Sequence, residues 1–88
     1  MKVIKFGAVW CNGCLVMKPR WAEVEKDNPW LKAEFYDYDQ DKAMVEVYGV
    51  GDQLPVAIIL DEQEKEIKRF IGEVDKNELL ETLNDLSA

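Results

Sequence analysis

Two cysteines three residues apart, in Trp10-Cys11-Asn12-Gly13-Cys14, constrain this chain more than any other feature. They are its only cysteines, and they sit between an apolar run (Val3, Ile4, Phe6, Ala8, Val9) and a segment with helical periodicity. A strand therefore delivers them to the first turn of a helix. Helix N-termini carry N–H groups without partners and a partial positive charge, both of which favour an anion such as a thiolate. The thiolate is the nucleophile of disulfide exchange, so this location makes an ordinary thiol reactive. The second cysteine, one turn on, can close a small ring with the first. Such a pair has the chemistry of a dithiol–disulfide oxidoreductase.

The 88 residues make one domain (1–88) with a single core, and 48% hydrophobic content suffices to build it without staples. No stretch approaches the roughly 20 apolar residues that cross a bilayer. Met1-Lys2 leads straight into a strand, with no apolar h-region, so the expectation is a cytoplasmic protein. There a Cys-x-x-Cys pair is more often catalytic or metal-binding than structural. A net charge of −7 argues against nucleic acid and anionic membranes as partners. Residues 1–20 carry Lys2, Lys5, Lys18 and Arg20 and no acid, so this segment is +4 and the rest of the chain −11. A basic setting would favour a thiolate, unless these are simply solvated surface charges.

The pattern along the chain is βαβαββα. Lys2 to Ala8 reads as a buried parallel strand, and Cys14 to Asp27 as a helix whose inner face is Met17, Trp21 and Val24. Pro19 falls inside that periodicity and predicts a kink rather than a stop. Ala33 to Tyr38 is a second strand, and Asp39-Gln40-Asp41 can cap a short helix from Lys42 to Tyr48. The apolar run Leu54 to Leu60 is followed by an edge strand, Glu66 to Ile71. Asp75 and Glu78 form a capping box for a last helix with Leu79, Leu80, Leu83 and Leu86 on its inner stripe. A right-handed crossover makes the first two strands parallel, and the last two are near enough for a hairpin. The expectation is an α/β fold with a four-stranded mixed sheet and helices on both faces. Trp21, Trp30, Phe35, Tyr36 and Phe70 are expected in the core or half-buried.

These residues resemble the thioredoxin family over nearly the whole chain: Phe6 to Cys14 with Pro19, Tyr48-Gly49-Val50, Leu54-Pro55, Ile71-Gly72 and the closing helix. The resemblance implies a compact thioredoxin-like fold without the N-terminal strand and helix of longer members. It implies Cys11 as nucleophile and Cys14 as resolving thiol, the latter expected to be the more covered. Trp10, Asn12, Gly13, Leu54, Pro55 and Gly72 would form the substrate groove, with the Leu54–Pro55 bond cis, and Pro19 would be the proline of the active-site helix. Three departures stand out. Asn12-Gly13 replaces the usual Gly-Pro, Lys5 takes the place of a buried aspartate, and Phe35 that of its partner lysine. The Lys5 ammonium is expected to find a carboxylate or reach water, since burying it unpaired is expensive.

The activity implied is reduction of protein disulfides by a monomer whose only cofactor is its own Cys11–Cys14 disulfide, in electron transport and cell redox homeostasis. Its partners would be disulfide-containing proteins and a thioredoxin reductase as electron source, or glutathione if the chain is glutaredoxin-like. Trp10 and Ile71-Gly72-Glu73 suit the thioredoxin type better. A zinc site would need four ligands, and with no histidine and two cysteines one chain could complete it only with carboxylates. A non-catalytic subunit of a larger complex is the remaining alternative.

Overall fold

Two apolar runs take the centre of the sheet, because only there are both faces of a strand covered. The computed structural model describes residues 1–87. Its elements are β1 (Lys2–Gly7), α1 (Asn12–Asp27), β2 (Lys32–Asp37), α2 (Lys42–Val47), β3 (Val56–Leu60), β4 (Glu66–Ile71) and α3 (Lys76–Ser87). The sheet order is β2-β1-β3-β4, with β1 parallel to β2 and antiparallel to β3, and β3 antiparallel to β4. Every residue of β3 is buried, and in β1 only Lys2 and Lys5 are not. The edges are the polar strands: β4 carries Lys68 and Arg69, and β2 carries Lys32 and Glu34.

Alternation along the strands divides the core into two layers. One sheet face carries Val3, Ala57, Ile59 and Phe70 and is covered by Met17, Trp21 and Val24 of α1 and Leu79 and Leu83 of α3. The other carries Ile4, Phe6, Val56, Ile58 and Leu60 under Tyr36, Tyr38, Met44, Val45 and Tyr48. Helices therefore lie on both faces, as the pattern implies.

Several local expectations are corrected. Helix α1 begins at Asn12, two residues before Cys14, because Cys11 itself is the N-cap. It runs on through Pro19 to Asp27. Asp41 is the N-cap residue of α2, yet its carboxylate makes no cap bond; it accepts instead from the Asp37 N–H at 2.7 Å. At α3 the Leu79 N–H donates to the Asp75 carbonyl, and no side-chain bond of a capping box forms there among the described residues. Trp21 and Phe70 are core and Tyr36 half-buried, but Trp30 and Phe35 are 46% and 62% exposed. Phe35 lies on an edge strand, so nothing packs over its outer side.

Candidate active site

Cys11 ends the β1–α1 connection with its N–H donating to the Ala8 carbonyl at 3.1 Å. Its backbone is extended, the usual conformation of an N-cap, and its Sγ accepts the Cys14 N–H at 3.2 Å. A sulfur thus stands where a serine or aspartate oxygen caps other helices. The first turn of α1 contains no acid, so the helix itself carries nothing that offsets its positive end at the sulfur. Cys14 is bonded to Cys11, with Cα atoms 5.3 Å apart.

Pro55 faces this loop from the start of β3, and the Leu54–Pro55 bond is cis while Pro19 and Pro29 follow trans bonds. The reason for glycine at position 13 is visible here. A Cβ on Gly13 would lie 3.0 Å from Pro55 Cδ, tighter than ordinary contact, so a side chain here would press the proline back by a few tenths of an ångström. The same Cβ would be 3.7 Å from Glu73 Oε2, which puts a carboxylate beside the dithiol loop. Gly72 binds the groove together through its N–H, which donates to the Pro55 carbonyl at 2.8 Å. On the opposite side Trp10, 56% exposed, donates from Nε1 to Asp39 Oδ2 at 2.8 Å and meets Tyr38 edge-on. The structure therefore brings Trp10, Gly13, Pro55 and Gly72 around the Cys11–Cys14 loop. Asn12 is exposed at its tip, and Leu54 packs half-buried against the second core layer.

The two cysteines differ in cover, and in the reverse of the expected sense. Cys11 is 6% exposed, whereas Cys14 is only partly buried. The cause lies beneath Cys14. A Cβ on Gly7 would sit 3.2 Å from Cys14 Sγ and 3.2 Å from the Phe35 ring, so glycine lets both side chains lie low on the sheet, with no side chain of its own to fill the space beside them. The space forms a cleft of about 410 Å³ between the start of α1 and the sheet, with Cys14 in its wall.

Lys5 points to this same side. Its Nζ is 2.8 Å from Glu25 Oε2 on α1 and lies 6.0 Å from the centre of the Trp21 ring. The expectation that it finds a carboxylate holds. Of the basic setting expected around the cysteines, Lys5 and Lys18 remain, both lining the cleft with Cys14, and the other two cations are directed elsewhere. Lys2 stands at the far end of β1 between Glu34 and Glu64, whose hydrogen bonds push its pKa up. Arg20 donates to the Val74 carbonyl at 2.7 Å, which leaves Lys18 as the one cation of this segment without such a partner among the described residues. Strand direction and long-range carboxylates scatter charges that are adjacent in sequence.

Sequence reasoning named Glu73 and Asp39 without placing either beside the dithiol, and missed the Gly7 opening. Only the last left a sign, a glycine interrupting an apolar strand near the cysteines.

Comparison with known proteins points to the same family. The family model described as Thioredoxin matches residues 1–85. A thioredoxin of Chlamydia caviae is 31% identical over 85 residues, covering 97% of this chain and 81% of the relative. Thioredoxin 1 of the thermophilic bacterium Thermosipho africanus superposes with a TM-score of 0.85 at 29% identity, covering 98% of this chain and 93% of the other. Thioredoxin-2 of the malaria parasite gives a TM-score of 0.88 at 21% identity, over 96% and 81% of the two chains, a likeness of fold.

Proposed function

This chain belongs to the thioredoxin family and is a thiol–disulfide oxidoreductase, and from that premise we propose that it reduces protein disulfides with Cys11 as the attacking thiol. The observation that carries the assignment is the position of Cys11 as N-cap of α1, its sulfur on the Cys14 N–H at the positive end of an acid-free first turn. The Cys11 thiolate attacks one sulfur of the substrate disulfide; a Cys11–substrate bond forms as the substrate S–S bond breaks, and the expelled thiolate takes up a proton. Deprotonated Cys14 then attacks Cys11, releasing the second substrate thiol. Two electrons have passed to the substrate, and the enzyme is left as the Cys11–Cys14 disulfide.

A thioredoxin-reductase-type protein is the electron source we assign, in preference to glutathione. Glu73 beside Gly13 and Asp39 beside Trp10 place carboxylates on both sides of the loop, and glutathione is itself an anion. We assign the chain to the cytoplasm, since both cysteines belong to the redox pair and neither is left for a structural bridge, and we take it to act as a monomer. The role fits electron transport in cell redox homeostasis.

One observation favours the opposite order of attack: Cys14 borders open space while Cys11 is covered. Trapping separates the two. Cys14→Ser should accumulate a mixed disulfide through Cys11 with a disulfide-bonded substrate such as insulin, and Cys11→Ser should accumulate none. The reverse pattern would transfer the attacking role to Cys14.

A further inference from the structure

The cleft beneath α1 adjoins the groove between Trp10 and Pro55, sharing Pro55 and Gly72 with it, and extends from there under the helix with a construction of its own. Its floor is a row across all four strands, set by register: Phe35 pairs with Lys5, Lys5 with Ala57, and Ala57 with Phe70. Small residues, Gly7 and Ala57, keep the centre of that floor low, and Trp21 of α1 lines the cleft above it. Cys14 lines it and Cys11 does not. At the mouth stand Leu15 and Phe35, 65% and 62% exposed. A volume of about 410 Å³ falls in the range of ligand-binding clefts. Large apolar side chains left exposed around an apolar cleft mark an interaction surface.

We propose that this cleft receives a bulky apolar side chain of the disulfide-bearing polypeptide, within about two residues of its reacting cysteine, and so sets the enzyme's substrate preference. The inference rests on the reductase reading above. Two observations select a polypeptide as occupant. The cleft is continuous with the reaction site, since Cys14, Pro55 and Gly72 belong to its lining, so whatever is bonded to the dithiol has neighbours at its entrance. Its apolar surface also continues outward over Leu15 and Phe35, where a chain segment can lie but a small ligand would leave the surface uncovered. An aromatic or branched side chain entering here loses water on the sides turned to Ala57, Trp21 and Phe70, and Phe35 and Leu15 are covered in the same step.

The test uses single-turnover oxidation of the reduced chain by two peptides, each closed by one disulfide. They are identical except that the neighbours of one cysteine are phenylalanine in the first and serine in the second. Rates are normalised to those of each peptide with dithiothreitol, which removes intrinsic reactivity. The phenylalanine peptide should react about tenfold faster or more, the discrimination that a hydrophobic pocket supplies. Leu15→Ser with Phe35→Ser should bring that ratio close to one, and Leu15→Met should retain it. Equal rates with both peptides, or a preference undiminished in the double variant, would overturn the proposal while leaving the reductase reading intact. Failure of the chain to react with either peptide would overturn both. Sedimentation showing a dimer that Phe35→Ser dissolves would give the cleft to a second copy of this chain, and overturn the proposal as well.

Discussion

On one face of the sheet α1 and α3, sixteen and twelve residues long, bury Met17, Trp21, Val24, Leu79 and Leu83. On the other, the six-residue α2 buries no residue fully, and the half-buried rings of Tyr36, Tyr38 and Tyr48 help to close the layer. The redox pair sits on the first face, at the end of the longest helix. A thiolate is favoured by a helix terminus only if that terminus is held still. Met17, Trp21 and Val24 anchor α1 about one, two and three turns below Cys14, and a helix of six residues has no such lever. The same face also holds the cleft, because α1 is fastened at its middle and lower turns while Gly7 leaves room under its first. Rigidity at the anchor and space at the tip come from one helix.

The largest expected effect asks whether the two layers really differ in weight. Leu79→Ala, at a fully buried position, should cost about 3 kcal/mol, and Met44→Ala on the α2 face about 1 kcal/mol. Thermal unfolding should then show a drop roughly three times larger for Leu79→Ala; equal drops would break the comparison.

Next in size is the contact that ties the cysteine loop to β3. Gly13→Ala puts a methyl group 3.0 Å from Pro55. Overpacking of this kind costs about 1–3 kcal/mol, against up to about 1 kcal/mol gained by removing a glycine from a helix, so a net loss of about 1 kcal/mol is expected if the loop is held. Denaturant unfolding of the oxidised protein should register the loss, and insulin reduction should slow with it. A variant as stable and as fast as the parent would mean that the loop yields freely, contrary to an anchored α1.

A smaller effect sharpens the electrostatics of the α1 face. Because Glu25 answers the Lys5 charge, Lys5→Met should leave the reduction potential within about 5 mV, a quarter of a kcal/mol. Glu25→Gln should instead leave an unpaired ammonium beside the cleft that Cys14 lines. That charge favours the Cys14 thiolate and should make the enzyme more oxidising by roughly 10 mV, about half a kcal/mol. Redox titration of the three proteins reads this directly, and one potential for all would leave Lys5 only a packing role over Trp21.

The smallest concerns how α2 is held. Arg69 on β4 donates to the Tyr48 and Gly49 carbonyls at the end of α2, and Glu66 grips the same guanidinium through both oxygens. That pairing lowers the Glu66 pKa below 4.5. A carboxyl lowered on folding stabilises above its unfolded pKa, and the contribution disappears as pH falls through the folded value. Glu66 is partly solvated, so Glu66→Gln should cost only a few tenths of a kcal/mol at pH 7. It should cost nothing well below pH 4; a pH-independent difference in stability would show that the ion pair is not the tie.

Much of the architecture was legible because its signals are local. The buried runs of β1 and β3, the i, i+4, i+7 spacing of Met17, Trp21 and Val24, and the polar edge of β4 each appear within one element. The candidate site was legible to the same depth, through two cysteines at a strand-to-helix junction. Less legible was which cap a side chain would choose. Asp41 had a helix N-terminus beside it and turned to the Asp37 N–H, a competition between two nearby donors that spacing does not rank.

By itself the sequence determined that a strand would carry a reactive dithiol to a helix terminus, since apolar periodicity and the Cys-x-x-Cys spacing depend only on neighbours a turn or a pleat away. Only the tertiary structure decided what surrounds that dithiol. The Lys5–Glu25 pair spans two elements, and Glu73 reaches Gly13 from the far end of the chain. Phe35 is exposed because β2 took the edge, and Cys14 faces open space because Gly7 lies beneath it. Each of these depends on strand order and on the register Lys5–Phe35 and Lys5–Ala57, contacts between residues 30 or more positions apart in the chain. Their free energy appears only when whole elements pack, so no short window of sequence contains it.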